Sequence, residues 1–308
     1  TLFHLDQRAG GRERLFVSIL LHGNETAGLL AMQSLLADPD FLLSRPLSLF
    51  VGNIEAAKAA VRRLPGQIDF NRCWPGGQAS DTPEGNLMGQ LVDEMARHKV
   101  FASIDIHNNT GDNPHYGCIN RLDERYIHLA SLFSDQVVYF IRPTGVQSMA
   151  FAELCPAVTL ECGSIGDLDG AEHAARFVRK VMQLDSLEVR EPFRADLCVY
   201  HTVAQIRVPP DKSFSFDGSR ADIMFRDGFE TTNFRTLESG EQLARLSDQQ
   251  GLPVLAIDEN GRDMSDRYFD NENGRLVLKT TVIPSMLTSN ETAIRQDCLA
   301  YFMELLDL

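Results

Sequence analysis

The sequence has no C-x-x-C pair, a single tryptophan, and no apolar run approaching the ~20 residues that would cross a bilayer as a helix. Its cysteines, at 73, 118, 155, 162, 198 and 298, follow no regular spacing. That argues against a disulfide framework and fits reduced thiols in a cytoplasmic protein. Basic charge is also short: 29 Lys and Arg stand against 43 Asp and Glu, for a net charge of −14. A nucleic-acid partner would need a basic patch that releases phosphate counterions, so none is expected. An anionic small substrate stays compatible, because a few arginines inside a pocket can reverse the sign locally. Internal repeats and low-complexity tracts are absent too. The first residues, Thr1-Leu2-Phe3-His4-Leu5-Asp6, lack the charged and apolar regions of a secretory signal. The chain begins without methionine, which leaves room for a clipped upstream segment.

What is present divides the chain in two. Residues 15–21, 47–51, 100–106, 136–141 and 157–160 are short runs rich in Val, Ile, Leu and Phe, spaced by helical patterns. In "TPEGNLMGQLVDEMARHK", Leu87, Leu91 and Met95 recur every four residues, Thr82 can cap the helix, and Pro83 suits its first turn. A second helix is predicted over 170–184, with Asp169 as its cap. Strands alternating with helices predict an α/β domain over 1–187, built on a mostly parallel sheet with helices on both faces. After about residue 188, short strands separated by Gly, Asp, Asn and Pro predict a smaller β-rich C-terminal domain, 188–308. The segment "TSNETAIRQDCLAYFMELL" reads as a terminal helix, with Thr288 and Glu291 at capping-box spacing.

Chemistry concentrates at the predicted strand ends, where open α/β sheets carry their ligand sites. "FVSILLHGNETAGLL" ends a buried strand in His22 and, three residues on, Glu25; "VFASIDIHNNTG" places His107 after another strand. Two histidines and a glutamate form one of the usual catalytic zinc sets, with a coordination position left for water. H-x-x-E alone is common by chance, and Arg72 or Glu161 taken singly reads as a surface arginine or a turn-capping carboxylate.

The ordered set is more specific. "HGNE" after the first strand, "DFNR" (69–72), "DIH" (105–107) and "ECG" (161–163) together resemble the succinylglutamate desuccinylase/aspartoacylase family, a branch of the zinc carboxypeptidase superfamily. The resemblance runs from about residue 15 to 185, and it implies a zinc-carboxypeptidase-like fold followed by a β-rich domain. It further implies one Zn2+ per chain on His22, Glu25 and His107, and a substrate carboxylate gripped by Asn71 and Arg72. Glu161 would be the general base, and an arginine just before the Asn-Arg pair would polarise the scissile carbonyl. Arg62 and Arg63 both qualify for that last role, with Arg63 favoured. The physics fits each role. Zinc brings the pKa of a bound water to about 7, and a nearby carboxylate can take the water's proton and return it to the leaving nitrogen. Arginine also matches a carboxylate with two parallel hydrogen bonds, as lysine cannot.

In one place the sequence departs from the family. Aspartoacylases carry an arginine about ten residues before the catalytic glutamate, where it recognises an acidic acyl group. Here that region holds Gln147 and Ser148, and Arg142 lies too early. The expectation is a metallohydrolase that cleaves an amide whose product keeps a free carboxylate, either an N-acyl amino acid or a C-terminal peptide bond. The resemblance also implies that the second domain narrows access, favouring small substrates. No nucleic acid or membrane partner is expected, and homo-oligomer formation is left open. Two rivals stand beside this reading. A silent zinc- or ligand-binding module of the same fold would not need Glu161. A dinuclear hydrolase would need further bridging Asp or His ligands, which do not accompany the three named here. His115 is a candidate for the pocket lining and Trp74 for its wall.

Overall fold

The computed structural model describes residues 1–6 and 11–307. Its chain forms two units, Thr1–Asn109 with His115–Val199, and Thr110–Pro114 with Tyr200–Leu308.

The first unit is a mostly parallel sheet covered by helices. Its strands are β1 (Leu2–Leu5), β2 (Arg14–Ile19), β3 (Leu47–Val51), β4 (Val100–Asn109), β5 (Tyr116–Ile119), β6 (Gln136–Tyr139) and β7 (Ala157–Ser164), in the spatial order β1-β3-β2-β4-β7-β5-β6. Neighbours from β3 through β7 run parallel, β1 is antiparallel at one edge, and β5 is antiparallel to β7 but parallel to β6. The central strands bury both faces, which explains their near-continuous apolar runs.

The helices are α1 (Ala27–Ala37), α2 (Ile54–Lys58), α3 (Pro83–Ala96), α4 (Glu124–Ser131), α5 (Gln147–Phe151) and α6 (Leu168–Gln183). Helices α1 and α6 pack together on one face. There Gly28 lets α1 approach closely, since a Cβ at that position would come within 2.7 Å of Ile19. Helix α5 packs on β4 and β7 from the other face. As expected, Thr82 caps α3, accepting from the Gly85 amide at 3.1 Å. Helix α6 begins two residues before its expected start, and its cap is Asp167 rather than Asp169.

The second unit is β-rich. A small sheet runs in the order β13 (Phe269–Asn271), β14 (Arg275–Leu278), β11 (Gln242–Leu246), β10 (Ile223–Phe225), β9 (Phe214–Ser215). Further strands are β8 (Cys198–Arg207) with β12 (Leu255–Asp258), and β15 (Ile283–Ser285) with β16 (Ala300–Leu306). Short helices α7 (Ser265–Tyr268) and α8 (Glu291–Gln296) and a 3-10 turn at Phe229–Thr231 also belong to it. Phe225, Phe229, Phe269, Leu276 and Phe302 lie in its core.

The predicted terminal helix is the main correction to the fold. Only 291–296 is helical, capped by Asn290 instead of Thr288, and the chain then extends as β16 against β15. Tyr301, Phe302 and Met303 are buried there, so tertiary pairing overrides the apolar spacing that suggested a helix.

Candidate metal centre

The site is built on β4 and on the turn after β2. Strand β4 extends to Asn109, so His107 lies within the strand and not just beyond it. Strand alternation puts Ser103, Asp105 and His107 on one face and turns Ile104 and Ile106 towards the other. His22 and Glu25 occupy the turn between β2 and α1. Gly23 permits that turn, because a Cβ there would stand 2.3 Å from the backbone of Ala56 and Ala57.

His22, Glu25 and His107 are all buried, and each offers a ligand atom within 4.8 Å of the other two. The Nδ1 atoms of both rings face Glu25, His22 at 2.8 Å from Oε1 and His107 at 2.7 Å from Oε2. Their Nε2 atoms turn outward to two carboxylates, Asp69 at 3.0 Å for His22 and Asp105 at 2.7 Å for His107. A carboxylate behind each histidine fixes the tautomer that leaves the inner nitrogen free for a cation. Ser18 on β2 donates to the second oxygen of Asp105 at 2.7 Å, which holds that carboxylate in turn.

The electrostatics favour positive charge at the cluster. Burial by itself would raise Glu25 and Asp69, but His22 leads the interactions that hold both carboxyls below the carboxylate range. Burial would lower His107, yet Asp105 and then Glu25 hold it well above the usual imidazole value. An environment that binds a proton this firmly also suits a divalent cation. The donor set, its burial and the outward carboxylates fit a zinc ion.

Glu161 lies on β7, paired in register with His107 on the adjacent strand. It is buried, and Asn109 donates to its Oε2 at 3.5 Å. Burial pushes its carboxyl up to about 8, with His107 opposing.

Asn71 is brought to the cluster with its Nδ2 3.4 Å from the His107 ring, while its Oδ1 accepts from the Gln147 amide at 3.0 Å. Arg72 follows it, with one guanidinium nitrogen donating to the Asn71 carbonyl at 2.8 Å. The two candidate arginines separate clearly. Arg62 donates to Asp69 at 2.9 Å and lies 3.6 Å from Glu25, whereas Arg63 donates to the Gln67 carbonyl at 3.2 Å.

The two pocket candidates, His115 and Trp74, do not join the cluster. His115 flanks Tyr116, the residue opposite Glu161, so it faces the other side of the sheet and stacks on His173 at 4.9 Å. Trp74 is fully buried, edge-on to Phe50 and Phe151, and packs the interior. Gln147 and Ser148 are buried as well, bonded to Ser103 at 2.6 Å and Thr159 at 3.0 Å. Cys162 is a buried thiol pushed well up by burial and by Glu161.

Asp69, Asp105 and Ser18 were not among the expected site residues. Asp105 carries a sequence signal, since it stands two residues before His107 on a strand and shares its face. Asp69 lies in an irregular segment with no strand period, and its one sequence signal is its place at the head of the "DFNR" motif.

A mostly parallel sheet that carries a His-Glu-His cluster on β4 and on the turn after β2 has the zinc-carboxypeptidase-like fold. Residues 12–185 match the family model described as succinylglutamate desuccinylase/aspartoacylase catalytic domain, and the chain belongs to that family of hydrolases of acylated amino acids. Solved structures share the fold at low identity. Murine aminoacylase 3 has a TM-score of 0.64 at 15% identity, over 96% of this chain and 95% of that one. A succinylglutamate desuccinylase/aspartoacylase from Rhodobacter sphaeroides has a TM-score of 0.64 at 14% identity, over 96% and 86%. The succinylglutamate desuccinylase from Chromobacterium violaceum has a TM-score of 0.61 at 18% identity, over 92% and 89%. No curated protein has a matching sequence. Among the described residues no helix is long and apolar enough to cross a membrane.

Proposed function

We propose that this protein is a zinc-dependent amidohydrolase that removes the acyl group from small N-acyl amino acids. The chemistry is assigned to residues 1–187, with 188–308 as a separate β-rich domain. The observation that carries this reading is the convergence of His22, Glu25 and His107 with a buried Glu161 in register on the neighbouring strand. One zinc ion held by the three would supply Lewis acidity and lower the pKa of a bound water towards about 7.

The chain's own residues do the rest. Arg72, with Asn71 beside it, grips the free carboxylate of the substrate by a bidentate pair, which orients the amide. The carbonyl is assigned to Arg62, which lies 3.6 Å from Glu25, in place of Arg63, which turns to the Gln67 carbonyl; its guanidinium would meet the negative charge that develops on the oxygen in the transition state. Glu161 takes a proton from the attacking water and delivers it to the amide nitrogen. The C–N bond then breaks, releasing the amino acid and the carboxylic acid. A cation beside Glu161 would lower its carboxyl from about 8, towards the range where it can both accept and return a proton.

The test is a panel of N-acyl amino acids and short peptides assayed with the zinc-loaded chain, together with metal analysis. Hydrolysis of N-acyl amino acids at about one zinc per chain is expected. Efficient residue-by-residue trimming of peptides would replace this reading with a carboxypeptidase. Full zinc with no turnover on the whole panel would replace it with a silent binding module.

A further inference from the structure

The segment 59–69 leaves α2, has no helix or strand of its own, and brings both Arg62 and Asp69 to the cluster. Something other than ladder hydrogen bonds must hold it. One pin is direct: the Gly23 amide, next to His22, donates to the Arg62 carbonyl at 3.0 Å. A second pin lies between the two functional residues. Gln67 and Asn53 exchange a reciprocal pair of side-chain bonds, Asn53 Nδ2 to Gln67 Oε1 at 2.9 Å and Gln67 Nε2 to Asn53 Oδ1 at 3.1 Å. Asn53 is buried and is itself fixed as the cap of α2, its Oδ1 also accepting from the Ala56 amide at 3.2 Å. Gln67 Oε1 further accepts from the Leu64 amide at 3.0 Å, and the Gln67 amide donates to the Leu64 carbonyl at 3.0 Å. One amide side chain thus closes the bend between Arg62 and Asp69 and ties it to a helix cap.

We propose that Gln67, through its paired amide with Asn53, is a positioning residue that sets where Arg62 and Asp69 stand over the metal cluster. The proposal rests on the hydrolase reading for the role of Arg62, but its structural part does not. If Gln67 is truncated, the buried Asn53 Nδ2 loses its partner, the bend opens, and Arg62 drifts from the point where it must meet the developing oxyanion. A misplacement of about 1 Å in such a group costs on the order of 10²-fold in rate.

The experiment uses the full chain loaded with zinc. Gln67→Ala should lower kcat on the best N-acyl amino acid by about 10- to 100-fold while KM changes far less. Gln67→Glu keeps the acceptor oxygen but loses the donor to Asn53 Oδ1, and should fall between wild type and the alanine variant. In an Arg62→Ala background most of the Gln67→Ala effect on kcat should vanish, because the group being positioned is gone. A purely structural role would instead add its cost in both backgrounds. Two readouts need no turnover: hydrogen exchange across 59–69 should accelerate, and a zinc chelator should compete more effectively through the loosened Asp69–His22 bond. Should the wild type hydrolyse nothing, the hydrolase reading fails and these two readouts alone judge the clasp. Unchanged exchange and unchanged zinc competition in Gln67→Ala overturn it, as does a kcat within twofold of wild type.

Discussion

His107 and the carboxylate behind it, Asp105, stand two residues apart on one strand, while His22 sits in a turn and takes Asp69 from 47 residues further along the chain. The strand arm inherits its geometry from β alternation, and the ladders with β2 and β7 keep it rigid. Beside the backbone bond from Gly23 to Arg62, the loop arm is assembled from separate side-chain bonds, each of which one substitution can cut. It also carries more than its histidine: Asp69 holds Arg62 as well as His22. A cation held by this cluster would meet one side fixed by the fold and one side where, on the proposed mechanism, affinity and catalysis are mixed.

The largest effect should come from removing either histidine. His107→Ala and His22→Ala are each expected to abolish zinc retention and hydrolysis while keeping the far-UV circular dichroism of the fold. A variant that keeps a stoichiometric ion would show that the two arms are not equal partners. Glu161→Gln comes next and belongs to neither arm. It should cost about 10²–10⁴-fold in kcat with zinc content unchanged. Wild-type kcat/KM should rise with pH as this carboxyl ionises, since only the ionised form accepts the water's proton, and the variant should lack that acidic limb. Loss of the metal in this variant would make Glu161 a ligand and overturn its assignment.

The direct test of the asymmetry pairs Asp105→Asn with Asp69→Asn. Both should weaken zinc by roughly 10–100-fold, the usual cost of losing the carboxylate behind a ligating histidine. At saturating zinc, however, only Asp69→Asn should still show a lowered kcat, because only Asp69 also holds Arg62. Equal kcat losses would erase the distinction between the arms. The smallest expected effect is that of Arg72→Lys, about 10-fold in kcat/KM with zinc binding untouched, from losing one of two charge-assisted hydrogen bonds. Near-normal kinetics there would remove Arg72 as the carboxylate anchor.

The same asymmetry decides what could be read from the amino-acid sequence. His22, Glu25, His107 and Glu161 stand at or near the ends of apolar runs, and those runs mark the central strands of the sheet. Asp105 could have been found by strand period alone. Asp69, Gln67 and the choice between Arg62 and Arg63 depend on the path of an irregular segment, which no periodicity describes. The C-terminal misreading has another cause. The apolar spacing in "CLAYFMELL" satisfies a helix and a half-buried strand alike, and pairing of Met303 with Ile283 decides between them. Where the backbone is regular, composition and period locate the side chains; where it is not, specific side-chain bonds do, and a sequence does not display them.

Trp74 carries a practical consequence. It is the chain's single tryptophan, two residues from Arg72, enclosed at 6.0 Å by Phe50 and by Phe151. Indole emission therefore comes from the first unit alone, blue while the ring is enclosed and red once water reaches it. Far-UV circular dichroism, by contrast, samples both units together. Followed side by side in a denaturant titration, the two signals report different parts of the molecule. Coincident transitions mean that the units unfold as one, and separated transitions give each unit its own midpoint.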